Sequence, residues 1–280
     1  MDDLEIYHTS DGGLTWQLRI GTVTKPVRHG VMKRLTSTCI HFADERTGWL
    51  IGYTDLTHNM DIGNFIYSTR DGGNTWKCHV EFFPWRGGDD LGLSYLAPVD
   101  MDFISREIGW FTQSGRFMYR TTDGGMSWER TGHPYPDSIY GIDNIDFVDE
   151  SRGWAVGDGV WYTSDGGQTW TEKLSASCWA VFADMNHVWV ATAHRLPPEE
   201  WVMRILHSED DGITWQVEWE GPYKSHYITY IGYHEVTQTL WAGGVQGLIL
   251  KRTIPTTPVS PEGKLPTLWG KLKAGPHTNP

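Results

Sequence analysis

One octapeptide recurs five times along this chain: Ser/Thr-x-Asp-x-Gly-x-Thr/Ser-Trp, at residues 9–16, 69–76, 121–128, 163–170 and 208–215. A broken sixth copy runs from Thr253 through an insertion to Trp269. The tryptophans at 16, 76, 128, 170, 215 and 269 lie about 51 residues apart on average, a period that suits a four-stranded propeller blade with loop insertions. The repeat also accounts for the chain's 32 Gly and 16 Trp: tight turns need the first, and a repeated packing unit needs the second.

A second pattern falls between the boxes. An apolar strand ends in Phe or Tyr, a short turn follows, and the next strand carries Trp. The copies pair Phe42 with Trp49, Phe103 with Trp110, Phe147 with Trp154, Phe182 with Trp189 and Tyr233 with Trp241. Apolar residues alternate along the first strand, as in Ile145 and Phe147, which is period-two patterning. Each period reads strand A, strand B, strand C, box, strand D. The expected fold is an all-β propeller of four-stranded antiparallel blades, five complete and preceded by a two-strand N-terminal half blade. The propeller spans residues 1–253, and the Pro-rich tail 254–280 carries Trp269 where it could complete the last blade.

The box chemistry is structural. The carboxylates of Asp11, Asp71, Asp123, Asp165 and Asp210 are expected to accept backbone N–H groups of their own turns. Trp16, Trp76, Trp128, Trp170 and Trp215 pack beneath the hairpins. One Asp per turn around a ring makes no shared catalytic or calcium site.

Five copies of one box resemble the Asp-box, or BNR, repeat of sialidases, sortilin-type receptors and other propellers. Its pairing with Phe-x-(acidic turn)-Gly-Trp is narrower and is similar to the photosystem II stability and assembly factor family, most clearly over residues 147–170 and in outline over residues 5–253. The resemblance implies a non-enzymatic propeller that escorts or holds another protein, and most such relatives are exported. The arginine patch that the resemblance would bring is not carried over, because Arg34, Arg86, Arg116, Arg120 and Arg195 are scattered.

A binding surface is expected on the face bearing the B–C and D–A connections, where loop lengths vary, and not on the uniform face of A–B turns and boxes. The richest insertion, residues 82–90, offers Phe82, Phe83, Trp85, Arg86, Asp89 and Asp90 as anchors. Tyr95, Tyr140, Trp179 and Tyr227 enter strand A nearby by blade order. Long B–C connections are expected at residues 53–64 and 192–201. Off-phase polar residues of strand A, including His41, Asp100, Asp102, Asn144 and Asp146, suit a water-filled channel, with Asp100, Asp102 and Asp146 the weak candidates for a cation.

Other classes fit less well. A net charge of −12 repels phosphate backbones, so no nucleic-acid partner is expected. The three cysteines, Cys39, Cys78 and Cys178, form no CxxC pair, and the 12 His form no HxH or HExxH motif. No cofactor is expected. No apolar run reaches membrane-spanning length, and the acidic N-terminus lacks signal-peptide features, so the chain as written reads as soluble and unexported, as a processed or trimmed chain also would, and its localisation is left open. A sialidase-like hydrolase needs three convergent arginines, and only Arg28, Arg34, Arg86 and Arg195 fall in the variable loops. A carbohydrate-binding propeller would use the same face as a protein binder.

Overall fold

The four boxes at Asp71, Asp123, Asp165 and Asp210 close their hairpins with one set of hydrogen bonds. In the computed structural model Thr75 donates to both oxygens of Asp71, through its N–H to Oδ1 at 2.9 Å and its hydroxyl to Oδ2 at 2.7 Å. The Thr69 hydroxyl donates to Asp71 Oδ1 and accepts the Gly73 N–H at 2.9 Å. Trp76 Nε1 donates to the Gly73 carbonyl at 3.1 Å. Corresponding bonds recur about Asp123, Asp165 and Asp210. Gly72 and Gly73 take φ of 70° and 86°, where a Cβ is strained. The fourth box puts Asp211 at the first of these positions, with φ 54°.

The structure describes residues 6–8, 14–19, 22–23, 35–54, 63–82, 98–113, 117–134, 141–197, 200–222, 227–234, 238–253 and 270–271. Among them there is no α-helix, and no helix is long and apolar enough to cross a membrane. The chain divides into two compact units, Met1–Ile142 and Asp143–Pro280. The first holds a two-stranded sheet of β1 (Ile6–His8) and β2 (Gln17–Arg19). It then holds blade 1, made of β4 (Leu35–Phe42), β5 (Gly48–Thr54), β6 (Gly63–Thr69) and β7 (Thr75–Phe82). A short strand, β3 (Thr22–Val23), adds in parallel to the outer edge of β7. Blade 2 comprises β8 (Pro98–Phe103), β9 (Gly109–Gln113), β10 (Phe117–Thr121) and β11 (Glu129–Arg130).

The second unit holds three blades. Blade 3 is β12 (Ile142–Phe147), β13 (Gly153–Gly157), β14 (Val160–Thr163) and β15 (Thr171–Leu174). Blade 4 is β16 (Cys178–Ala183), β17 (Val188–Leu196), β18 (Glu200–Ser208) and β19 (Gln216–Pro222). Blade 5 is β20 (Ile228–His234), β21 (Thr239–Gly244), β22 (Ile249–Thr253) and β23 (Gly270–Lys271). The fold is therefore a propeller of five four-stranded antiparallel blades with a two-strand N-terminal sheet. Strand β23 supplies the outermost strand of blade 5 from the Pro-rich tail, next to Trp269, which lies outside the described residues.

Packing inside the blades explains the Phe-turn-Gly-Trp pattern. Asp44, Asp149 and Asp184 each accept two backbone N–H groups of their A–B turns, and the Ser105 hydroxyl does this in blade 2. The strand-A Phe then meets the box Trp of its own blade edge-on, at 6.1 Å for Phe42–Trp76 and 6.2 Å for Phe147–Trp170. The strand-B Trp reaches the next blade: Trp49, fully buried, stacks on Phe103 at 3.5 Å and donates to the Gly124 carbonyl at 2.9 Å. In the N-terminal two-stranded sheet Trp16 is 60 % exposed, against 2 % for Trp76.

Off-phase polar residues on strand A bind neighbouring backbone. Asn144 and Asp146 accept the Val181 and Ala183 N–H groups at 2.8 and 2.7 Å, joining β12 to β16. His41 Nε2 lies 3.0 Å from the Phe103 carbonyl, joining β4 to β8.

Candidate functional site

The face carrying B–C and D–A connections is best described in the second unit. There the expected connection at 192–201 is mostly strand. β17 and β18 run nine residues each, whereas β13 and β14 of blade 3 run five and four. The hairpin keeps pairing to Leu196↔Glu200, and β19 follows it out to Pro222. Arg195 faces Trp201 across this ladder, and Trp201 is 48 % exposed. At the foot of the hairpin the Thr192 hydroxyl donates to the Ser177 carbonyl at 2.9 Å, which fixes the D–A connection entering β16.

Trp179 and Tyr227, two of the expected anchors, come together here. Their rings lie 4.5 Å apart with a 58° tilt, both half-buried. Tyr227 is set by blade 5: its carbonyl accepts the Val245 N–H at 2.8 Å and lies so close to Gly244 that a Cβ there would clash. Phe83, Trp85, Arg86, Asp89, Asp90, Tyr95 and Tyr140 lie outside the described residues, and for Phe82 only the backbone pairing with Asn64 in the β6–β7 ladder is described.

Partial burial and the nearby charge of Asp158 push the Asp143 carboxyl up to about 6. Asp158 sits between Gly157 and Gly159 in the short β13–β14 turn, and the sequence reading did not single out either residue. Burial pushes the Cys178 thiol up to about 12 and raises Cys39 further, aided by Asp100, so both are neutral thiols and poor nucleophiles. Asp100 accepts the Cys39 thiol at 3.5 Å, and Asp102 lies 3.7 Å from His41 Nδ1. Among the described residues one group gathers three metal-capable side chains: His187, His207 and Glu209 on the box face of blade 4. Burial holds His207 down to about 4, so its imidazole is neutral.

The family model described as photosynthesis system II assembly factor YCF48 matches residues 84–177. The chain is a BNR-type propeller that resembles the photosystem II assembly factors. Its relatives include the photosystem II assembly lipoprotein Ycf48 of Synechococcus sp. (strain CC9902), 26 % identical over 140 residues, 47 % of this chain and 38 % of that one. The photosystem II assembly protein Ycf48 of Synechococcus sp. (strain JA-3-3Ab) is 25 % identical over 257 residues, covering 77 % of this chain and 69 % of that one. A Paenibacillus xyloglucanase is 28 % identical over 131 residues, 41 % of this chain. The match spans only 13 % of that enzyme's length, so the BNR-type chain covers a small part of it.

Solved structures with the same propeller fold include a GH74 xyloglucanase from Xanthomonas campestris, with TM-score 0.51, 12 % identity, and coverage of 83 % of this chain and 37 % of that one. A structure described as YCF48 bound to D1 peptide aligns with TM-score 0.45 and 17 % identity, over 79 % of this chain and 80 % of that one.

Proposed function

We propose that this propeller is a non-enzymatic scaffold that holds a protein partner on its B–C and D–A loop face, in the manner of an assembly or stability factor. The observation that carries the reading is the Trp179–Tyr227 pair beside the outward β17–β18 hairpin, with Trp201 exposed on it. Half-buried and exposed aromatics with an Arg nearby, here Arg195 across the ladder from Trp201, have the composition of binding hot spots, because aromatics desolvate much area with little loss of side-chain freedom. The likeness to photosystem II assembly factors supports the same reading. Phe82, Phe83, Trp85, Arg86, Asp89, Asp90, Tyr95 and Tyr140 are proposed as anchors on the B–C and D–A loop face of the first unit.

The test is capture from native extract by wild type and by two double variants, Trp179→Ala/Tyr227→Ala and Trp85→Ala/Arg86→Ala, scored by mass spectrometry. Loss of one defined partner, by about 2 kcal/mol or more in affinity, supports the reading. Equal recovery by all three removes these residues as anchors.

A second reading, a glycoside hydrolase, is favoured by the likeness over 131 residues to a xyloglucanase, and on the loop face burial and the charge of Asp158 push the Asp143 carboxyl up to about 6. Glycoside hydrolysis needs one carboxyl kept protonated and a second ionised. Release of reducing sugar from xyloglucan by wild type, abolished in Asp143→Asn, would replace the scaffold reading with this one.

A further inference from the structure

We propose that blade 4 carries a zinc site formed by His187, His207 and Glu209, on the face opposite the Trp179–Tyr227 pair. Three backbone positions recur in the blades: the last residue of the A–B turn, the strand-C residue paired with the strand-B Trp, and the second residue of the box. In blade 1 they are Thr47, Ser68 and Arg70; in blade 2, Ile108, Arg120 and Thr122; in blade 3, Arg152, Tyr162 and Ser164. In blade 4 the same positions hold two imidazoles and a carboxylate.

The two rings are aimed at each other. His187 Nδ1 lies 2.9 Å from His207 Nε2, and the ligand atoms of all three residues fall within 4.8 Å of one another. Trp189, 1 % exposed, stacks on His207 at 4.5 Å and on His187 at 5.3 Å, so both ring planes are fixed. Behind His207, Nδ1 lies 2.9 Å from Glu218 Oε1, whose side chain is 6 % exposed and pairs with Arg252. That carboxylate keeps the proton on Nδ1 and turns the Nε2 lone pair toward His187. A carboxylate–histidine pair of this kind orients imidazole ligands in metal sites.

Glu218 reaches this position because it is the extra residue of a β-bulge: Ile205 pairs with Trp219, and Leu206 with Val217. The same bulge puts His79 against Ser68 at 2.6 Å in blade 1 and Lys173 over Tyr162 in blade 3. The fold therefore uses a contact from the bulge to strand C in each of these blades. It makes that contact without a second histidine on the A–B turn and without a carboxylate in the box, so His187 and Glu209 are additions that the scaffold does not require.

The two imidazole nitrogens stand at hydrogen-bond distance, 2.9 Å apart. A tetrahedral zinc with Zn–N near 2.0–2.1 Å would set them about 3.3 Å apart, a small opening. Glu209 is exposed, so its carboxylate can swing to become the third ligand, and the fourth position faces solvent. Two nitrogens and one oxygen select zinc over calcium or magnesium, which take oxygen ligands.

The test titrates zinc chloride into chelator-stripped full chain against a chromophoric competitor, with His187→Asn and Glu209→Gln alongside. Metal-free melting confirms that each variant is folded, and Glu209→Gln decides alone if His187→Asn is not. The expected result is one zinc per chain for wild type and affinity weakened at least about tenfold in each variant, with the visible band of the cobalt-substituted protein altered in both. No zinc bound by wild type, or zinc bound equally by wild type and variants, overturns the proposal.

Discussion

The ring of Phe147 lies against the backbone of Gly153, so close that a Cβ at residue 153 would fall 2.4 Å from Phe147 Cδ1. The same approach recurs between Phe103 and Gly109, and at 2.6 Å between Phe42 and Gly48. Each Phe also meets the box Trp of its blade edge-on, with ring centres 5.9–6.2 Å apart. Gly153→Ala must therefore push the ring out of a closed slot, and it is expected to lower stability by about 1–3 kcal/mol, the usual cost of overpacking. A urea melt with an unchanged midpoint would show that the ring has room to move.

The box aspartates are expected to set the acid limit of the fold. Hydrogen bonds from their own turns hold Asp71, Asp123 and Asp210 at about 2, below the ordinary 3.8, and hold Asp165 down as well. Each contributes stability that is present above the unfolded value and lost as pH falls through the folded one. The melting temperature should therefore stay level down to about pH 4 and drop steeply towards pH 2. Asp165→Ala, which strands the Thr169 N–H and both turn hydroxyls, should cost about 1–3 kcal/mol at neutral pH.

Asp143 has the opposite sign. Its carboxyl is raised to about 6, so the protonated form is the more compatible with the fold, and its contribution is lost as pH rises through that value. Asp143→Asn is expected to stabilise the protein at pH 7 and to make little difference at pH 4. The gain should be no more than about 1 kcal/mol, because the carboxyl is only partly buried and solvent screens the effect. Calorimetry at the two pH values checks it, and a gain independent of pH would mean that Asp158 and burial are not the cause.

What the sequence reveals here is whatever is local. The Asp71 bonds all close within residues 69–75, so the box spacing alone implies them. The Phe-turn-Gly-Trp pattern is legible for the same reason, and with it the blade count and the two-strand start. Features set by distant partners are not legible. β3 is two residues paired in parallel with the edge of β7, some fifty residues on. The β17–β18 hairpin reads as a loop because Pro197 and Pro198 interrupt its sequence, while cross-strand pairing carries both strands to the turn. Trp179 and Tyr227, both expected near the loop face, meet because consecutive blades bring their strand-A entries together. His187 and His207 are twenty residues apart and fit no short motif. Aligning each blade on its strand-B Trp, and taking the residue before strand B with the one opposite the Trp, would have brought them together.

The most direct measurement of the scaffold account is site-specific photo-crosslinking in the native extract. A benzophenone side chain is placed at Arg195, on the loop face, or at Ile213, exposed in the box of the same blade. The account predicts one discrete protein adduct from position 195 and none from position 213, with no sugar released from xyloglucan by the unmodified chain. Adducts of equal yield from both positions, or xyloglucan hydrolysis that depends on Asp143, would contradict it.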